Sequence, residues 1–208
     1  MTDTSIRASG ACLCAAALTT LALNVLVSPH LPAGPFSAIA ASRVYFARQV
    51  IASAVAMALV FGLAGVRESR LAGSGRFAVV ACASALAGQV LLFSIEYGQA
   101  FIVHDYALMA PAALDGAMGN PHGPLAIGAI LAIAIFYLGW ILLAIALLRA
   151  RRIPRMSAGL LLFGFLVTPV LNGIKALGVV GGIVASLIVG AGWFLLGLRM
   201  IRMPRGDG

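Results

Sequence analysis

Apolar runs of about 20 residues, separated by short basic or Pro- and Gly-containing stretches, set the pattern of this chain. Six runs stand out, over 9–28, 44–66, 77–101, 124–148, 156–177 and 182–200. A helix needs about 20 mostly apolar residues to cross a hydrocarbon layer roughly 30 Å thick, so each run predicts one transmembrane helix. Strands of a membrane barrel would show segments of about ten residues with alternating polarity, and none are present. Lipid admits only helices and closed barrels. The predicted fold class is all-α: a single polytopic bundle over 1–208, its six helices joined as three hairpins.

Composition agrees. The chain is 62% hydrophobic and only 10% charged, with a mean hydropathy of +1.07. A soluble domain carries about 25% charged residues, so a water-soluble fold, a disordered chain and an ordinary secreted domain are excluded.

The net charge of +8 raises nucleic acid as a partner, and its placement removes the need for one. Of 14 Lys and Arg, eleven form four clusters: Arg7; Arg67, Arg70 and Arg76; Arg149, Arg151, Arg152 and Arg155; and Arg199, Arg202 and Arg205. Six spans put all four on one face and leave Arg43, Arg48 and Lys175 for the other. Basic residues collect in cytoplasmic loops, so both termini are expected inside, in a plasma membrane whose anionic headgroups meet the arginines.

Arg7 ahead of an apolar stretch resembles a signal peptide, but no small-x-small cleavage site follows before Pro29, and a retained first span is expected. Cys12, Cys14 and Cys82 lie inside spans and read as small apolar fillers without a disulfide framework. The longest connection, 102–123, falls on the outer side and is expected to be a loop, functional or loosely ordered. Two echoes recur: Gly139-Trp140 ahead of Arg149, and Gly192-Trp193 ahead of Arg202, where Trp is expected at the membrane interface. Gly181-Gly182 reads as the tight outer turn between the last two spans.

Ionisable and amide groups inside spans are the strongest functional pointers. Glu96 lies 20 residues past Arg76, roughly 30 Å across at the helical rise. Arg48, Asn24, Asn172 and Lys175 reach a similar depth when counted from their own inner arginines. Cys82, Gln89 and Glu96 are spaced by seven, so they share one helix face, with Gln99 one turn beyond. In the fifth span Thr168, Asn172 and Lys175 share a face, and Pro169 removes a backbone donor there. The sequence offers two ionic partners for Glu96, namely Arg48 and Lys175. Interfacial snorkelling and an aromatic belt of Tyr97 and Tyr106 are the bland alternative.

His30, His104 and His122 all map to outer segments without ligand spacing, so no metal site is expected. No phosphate loop, nucleophile elbow or zinc-protease helix is present, and no cofactor is implied. Lys175 is too near a span end, and too poor in aromatic neighbours, for a retinal pocket.

The stretch Ser94-Ile95-Glu96-Tyr97-Gly98-Gln99-Ala100-Phe101, with Pro111-Ala112-Ala113-Leu114-Asp115 and Leu147-Leu148-Arg149-Ala150-Arg151-Arg152-Ile153-Pro154-Arg155, resembles a broad group of small six-span actinobacterial integral membrane proteins. The resemblance implies the architecture and carries no activity or catalytic residue.

Three functional classes fit. The first is an outward-facing polar pocket for a small or lipid-like molecule, lined by Asn24, Arg48, Gln89, Glu96, Gln99, Asn172 and Lys175, with transport calling for a homo-oligomer in so short a chain. The second is an enzyme of isomerase or cyclase type on a lipophilic substrate, with Glu96 as general acid or base and Asp105 or His104 as second proton carrier. The third is an accessory subunit in which Glu96 and Arg48 fix helix register. For the topology, a reporter fused after Gly208 is expected to be active only on the cytoplasmic side; activity outside would reverse the orientation.

Overall fold

A computed structural model describes residues 3–203, the side chains of Asp3 and Lys175 excepted. Its elements are α1 (Asp3–Ala22), α2 (Phe36–Ala40), α3 (Arg43–Glu68), α4 (Arg76–Gly98), α5 (His104–Met109), α6 (Pro111–Gly119), α7 (Pro124–Ala150), α8 (Arg155–Gly173) and α9 (Gly178–Ile201). Among the described residues there is no strand. Six helical stretches are long and apolar enough to cross a membrane: Thr4–His30, Arg43–Glu68, Arg76–Met109, Pro124–Ala150, Arg155–Gly173 and Gly178–Ile201. The chain is therefore an all-α, multi-pass membrane protein, as the apolar runs predict.

Helix ends follow local chemistry. Ser42 caps α3, its Oγ accepting from the Tyr45 N–H at 3.2 Å. Pro124 opens α7, where a missing N–H costs nothing. Arg151, at φ 53°, ends it in the left-handed region.

The six long helices form a closed ring in chain order. α1 packs on α3, α3 on α4, α4 on α7, α7 on α8 and α8 on α9, and α9 returns to α1. Two opposite seams of this ring are backbone-to-backbone. A Cβ on Gly10 would lie 2.7 Å from the Gly197 carbonyl oxygen, and one on Gly197 would lie 2.5 Å from that of Gly10. Across the ring, a Cβ on Gly139 would lie 2.5 Å from the Ser84 carbonyl oxygen, and one on Gly88 would lie 2.5 Å from Phe136 Cα. Lipid gives apolar helices no reason to associate by burial alone, so such close approach carries the packing.

The described arginines of the four clusters lie at one end of the ring, and Arg205 is outside the described residues. An Arg7 Nη2 donates to the Met203 carbonyl at 3.0 Å, and Arg152 Nη1 donates to the Arg70 carbonyl at 3.2 Å. The Arg149 guanidinium sits 4.7 Å from the centre of the Phe77 ring.

The other end carries a folded cap where the sequence predicts a loop. The third span does not stop near residue 101: it runs through a π-helical stretch, Gln99–Val103, into α5, and α6 follows after one break at Ala110. The apolar side chains of 102–123 are what order it, because Ala107 and Leu114 bury against Ala40 and Tyr45 in a small second core. Asp115 fastens that core to α2, accepting from the Ser37 N–H at 2.8 Å and from Ser37 Oγ at 2.7 Å. His104 Nδ1 lies 2.7 Å from the Ala40 carbonyl oxygen.

Two further expectations are corrected. Gly181 and Gly182 lie inside α9, and the turn falls at 174–177, closed by Gly178 at φ +46°. Apolar content continues through both glycines, so hydropathy alone misplaces the break. Trp140 and Trp193 do not sit at an interface. Each lies nine residues before its arginine, roughly 13 Å into the membrane, and both are buried with ring centres 5.5 Å apart. Phe165 stacks on Trp140 at 5.2 Å, with planes 8° apart.

Gly139→Ala is expected to destabilise the protein by about 1–3 kcal/mol, since overpacking forces two backbones apart. Gly159→Ala, with open space around it, is expected to be neutral or slightly stabilising. Thermal unfolding in one detergent compares them, and equal melting temperatures would remove the seam from the account.

Candidate functional site

Helix α3 enters the membrane with Tyr45, Arg48 and Gln49 in its first two turns; Tyr45 and Gln49 are buried and Arg48 is half-buried. A guanidinium there must find protein partners, because hydrocarbon offers none. Arg48 Nε donates to Ser28 Oγ at 3.1 Å, and Arg48 Nη1 donates to Gln49 Oε1. Gln49, only 1% exposed, turns its amide nitrogen to Glu96 Oε2 at 2.9 Å and to Gln99 Oε1. Tyr45 completes the chain, its hydroxyl donating to Gln99 Oε1 at 3.1 Å. Ser28 Oγ in turn lies 3.3 Å from Asn24 Oδ1.

The expected Glu96–Arg48 ion pair is thus replaced by an amide bridge. Gln49 offers an acceptor to the cation and a donor to the carboxylate, which a direct pair would not need. Lys175, the other expected partner, has a side chain outside the described residues.

Both edges of the network are π-helical. Leu23–Val27 holds Asn24, and Gln99–Val103 begins at Gln99. An i→i+5 turn is wider than an α turn and re-aims the side chains that follow it, and such turns gather at functional sites.

Beside the network lies a cavity of about 460 Å³, within the usual range for a small-molecule site. Its rim, with Ser28, Leu31, Asn172 and Gly178, is at the cap end of the ring. Its walls carry Thr20, Asn24, Arg48, Tyr137 and Thr168, and its apolar base is made by Phe136, Phe165, Val189 and Trp193. Pro169 has no N–H to offer the Phe165 carbonyl, so one backbone acceptor is released in α8 close to this base. A second, narrower cavity of about 130 Å³ holds Glu96, and Thr20, Asn24, Arg48 and Trp193 line both. Trp193 is 5% exposed, and its indole nitrogen has no hydrogen-bond partner among the described residues.

The structure brings together Asn24, Arg48, Glu96 and Gln99 through bonds, and it places Asn172 on the rim of the larger cavity. Gln89 is elsewhere: fully buried, its amide nitrogen 3.3 Å from the Ala56 carbonyl oxygen and its Oε1 3.1 Å from Trp140 Nε1. It faces inward as its stripe predicts, yet it lines neither cavity. Asp105 is exposed on α5, outside both cavities. The three histidines do not gather, and among the described residues no three His, Cys, Asp or Glu side chains converge. Sequence reasoning missed the bridging role of Gln49, whose signal was an amide next to a cation inside an apolar run. It also missed Trp193, whose spacing from Arg202 already gave its depth.

Comparison with protein-family models, curated proteins and solved structures finds no match.

Gln49→Leu is expected to cost about 2–3 kcal/mol, because a buried charge loses a partner. Gln89→Leu is expected to cost about 1–3 kcal/mol through the orphaned Trp140 N–H. In a double-mutant cycle on unfolding, Gln49 is expected to couple with Glu96 but not with Trp140; additivity for Gln49 and Glu96 would discard the bridge.

Proposed function

We propose that this protein binds a small or lipid-like molecule in the larger cavity, admitted from the extracytoplasmic side of the plasma membrane. The observation that carries this reading is a space of about 460 Å³ that runs from the cap end to a buried tryptophan and is walled by an arginine. The orientation rests on the arginine clusters, whose end is cytoplasmic by the distribution of positive charge; the cavity rim is at the opposite end.

Binding is favoured over acid–base catalysis by where the carboxylates lie. Glu96 faces the narrow cavity and is held by Gln49, whereas Asp105 is on the cap surface and His104 turns to the Ala40 carbonyl, so neither expected second proton carrier lines the cavity with Glu96. Glu96 then acts as a positioning residue: it orients Gln49, which orients Arg48.

The test is mass spectrometry of molecules released from gently purified protein. Wild type is expected to release one compound near unit stoichiometry. Gly182→Trp is expected to release none at an unchanged melting temperature, since Gly182 lines the cavity and its nearest neighbour is 4.0 Å from a built Cβ. An empty wild type, or a compound retained by Gly182→Trp, would overturn the reading.

A further inference from the structure

Resting on the cavity reading, we infer that the ligand is an acid: an amphiphile whose carboxylate or phosphate oxygens sit on Arg48, with its apolar part along the aromatic base. A guanidinium has five N–H donors in one plane. Arg48 uses two of them, on Ser28 and Gln49, and no ion pair joins it to a carboxylate among the described residues. Three donors therefore remain for whatever enters the space that Arg48 lines. Planar donors of this kind match the paired oxygens of a carboxylate or phosphate.

The rest of the cavity points the same way. Thr20, Asn24, Thr168 and Asn172 add hydroxyl and amide groups to the lining of the larger cavity, and no carboxylate among the described residues lines it; Glu96 lines the narrower one, bonded to Gln49. Trp193 supplies an independent sign of a ligand oxygen. Its N–H can only donate, it is buried, and nothing among the described residues accepts from it. Trp140, its neighbour at 5.5 Å, has its own N–H met by Gln89. A buried donor left unmet in one of two adjacent indoles is a cost that a bound acceptor removes. Arg48 and Trp193 line both spaces together, and beside them the wall of the larger one is apolar and aromatic, with Phe136, Phe165, Ala185 and Val189. A compact sugar or an inorganic anion would leave that surface unfilled; a chain or ring system bearing an acid would cover it.

The test uses the intact protein in detergent and four probes read by native mass spectrometry: decanoate, decyl phosphate, decanol and dipalmitoyl phosphatidate. Wild type is expected to take decanoate or decyl phosphate at least about tenfold more tightly than decanol, the size of one charge-assisted hydrogen bond. Arg48→Gln is expected to erase that ratio and Arg48→Lys to keep part of it. Trp193→Phe is expected to weaken the acids a few-fold. Tight uptake of phosphatidate, with the single-chain acids weak, would identify a membrane headgroup as the source of the same acid chemistry. Decanol bound as well as decanoate would overturn the acid and leave the cavity reading intact. None of the four bound by wild type would overturn both. The acid-to-alcohol ratio is read on wild type, so the inference stays open to refutation even where Arg48→Gln does not fold.

Discussion

One guanidinium inside a low-dielectric layer constrains the whole upper half of this molecule. Arg48 cannot be solvated by lipid, so every group around it must come from the chain. Ser28 and the amide of Gln49 come first, Glu96 accepts from that amide, and Gln99 and Tyr45 hold it in place. Meeting these demands takes three spans, and two of them abandon the α turn to do it, at Leu23–Val27 and Gln99–Val103. The folded cap follows from the same arrangement, since Tyr45 contributes its ring to the cap core and its hydroxyl to the network.

The lower half obeys a different rule. There the ring is shut by glycine seams and by aromatic stacking, with Trp140, Phe165 and Trp193 filling the centre that six helices leave open. The Gly-Trp repeat serves both needs at once. Gly139 lets α4 approach α7, Gly192 lets Leu161 of α8 approach α9, and the tryptophan after each glycine turns inward at the same depth. A polar, hydrogen-bonded upper half above the stacked rings of the lower half makes a cavity with a base.

Hydropathy made the six spans legible, because crossing lipid requires about 20 apolar residues whatever the partner helices are. The same reasoning failed where apolar residues serve something other than crossing. At 102–123 they order a cap, and at 178–182 they extend a span through two glycines. In the site, Asn24, Arg48, Glu96, Gln99 and Asn172 stood out as polar groups in apolar runs. Their partners did not, because Ser28 with Arg48 and Gln49 with Glu96 are joined by folding across 20 and 47 positions. The π turns were invisible to a 3.6-residue period, and Gln89 fitted the polar stripe while its bond to Trp140 spans 51 positions.

The two tryptophans are the only ones in the sequence, and they stand side by side, Trp193 at the base of the cavity and Trp140 against it. All indole emission of this protein therefore originates from one spot, with no background from loops or surface. Excitation passes readily between rings this close, so the pair behaves as a single built-in chromophore. Its colour and lifetime report directly on what lies against Trp193, which makes the intrinsic spectrum a label-free readout of occupancy.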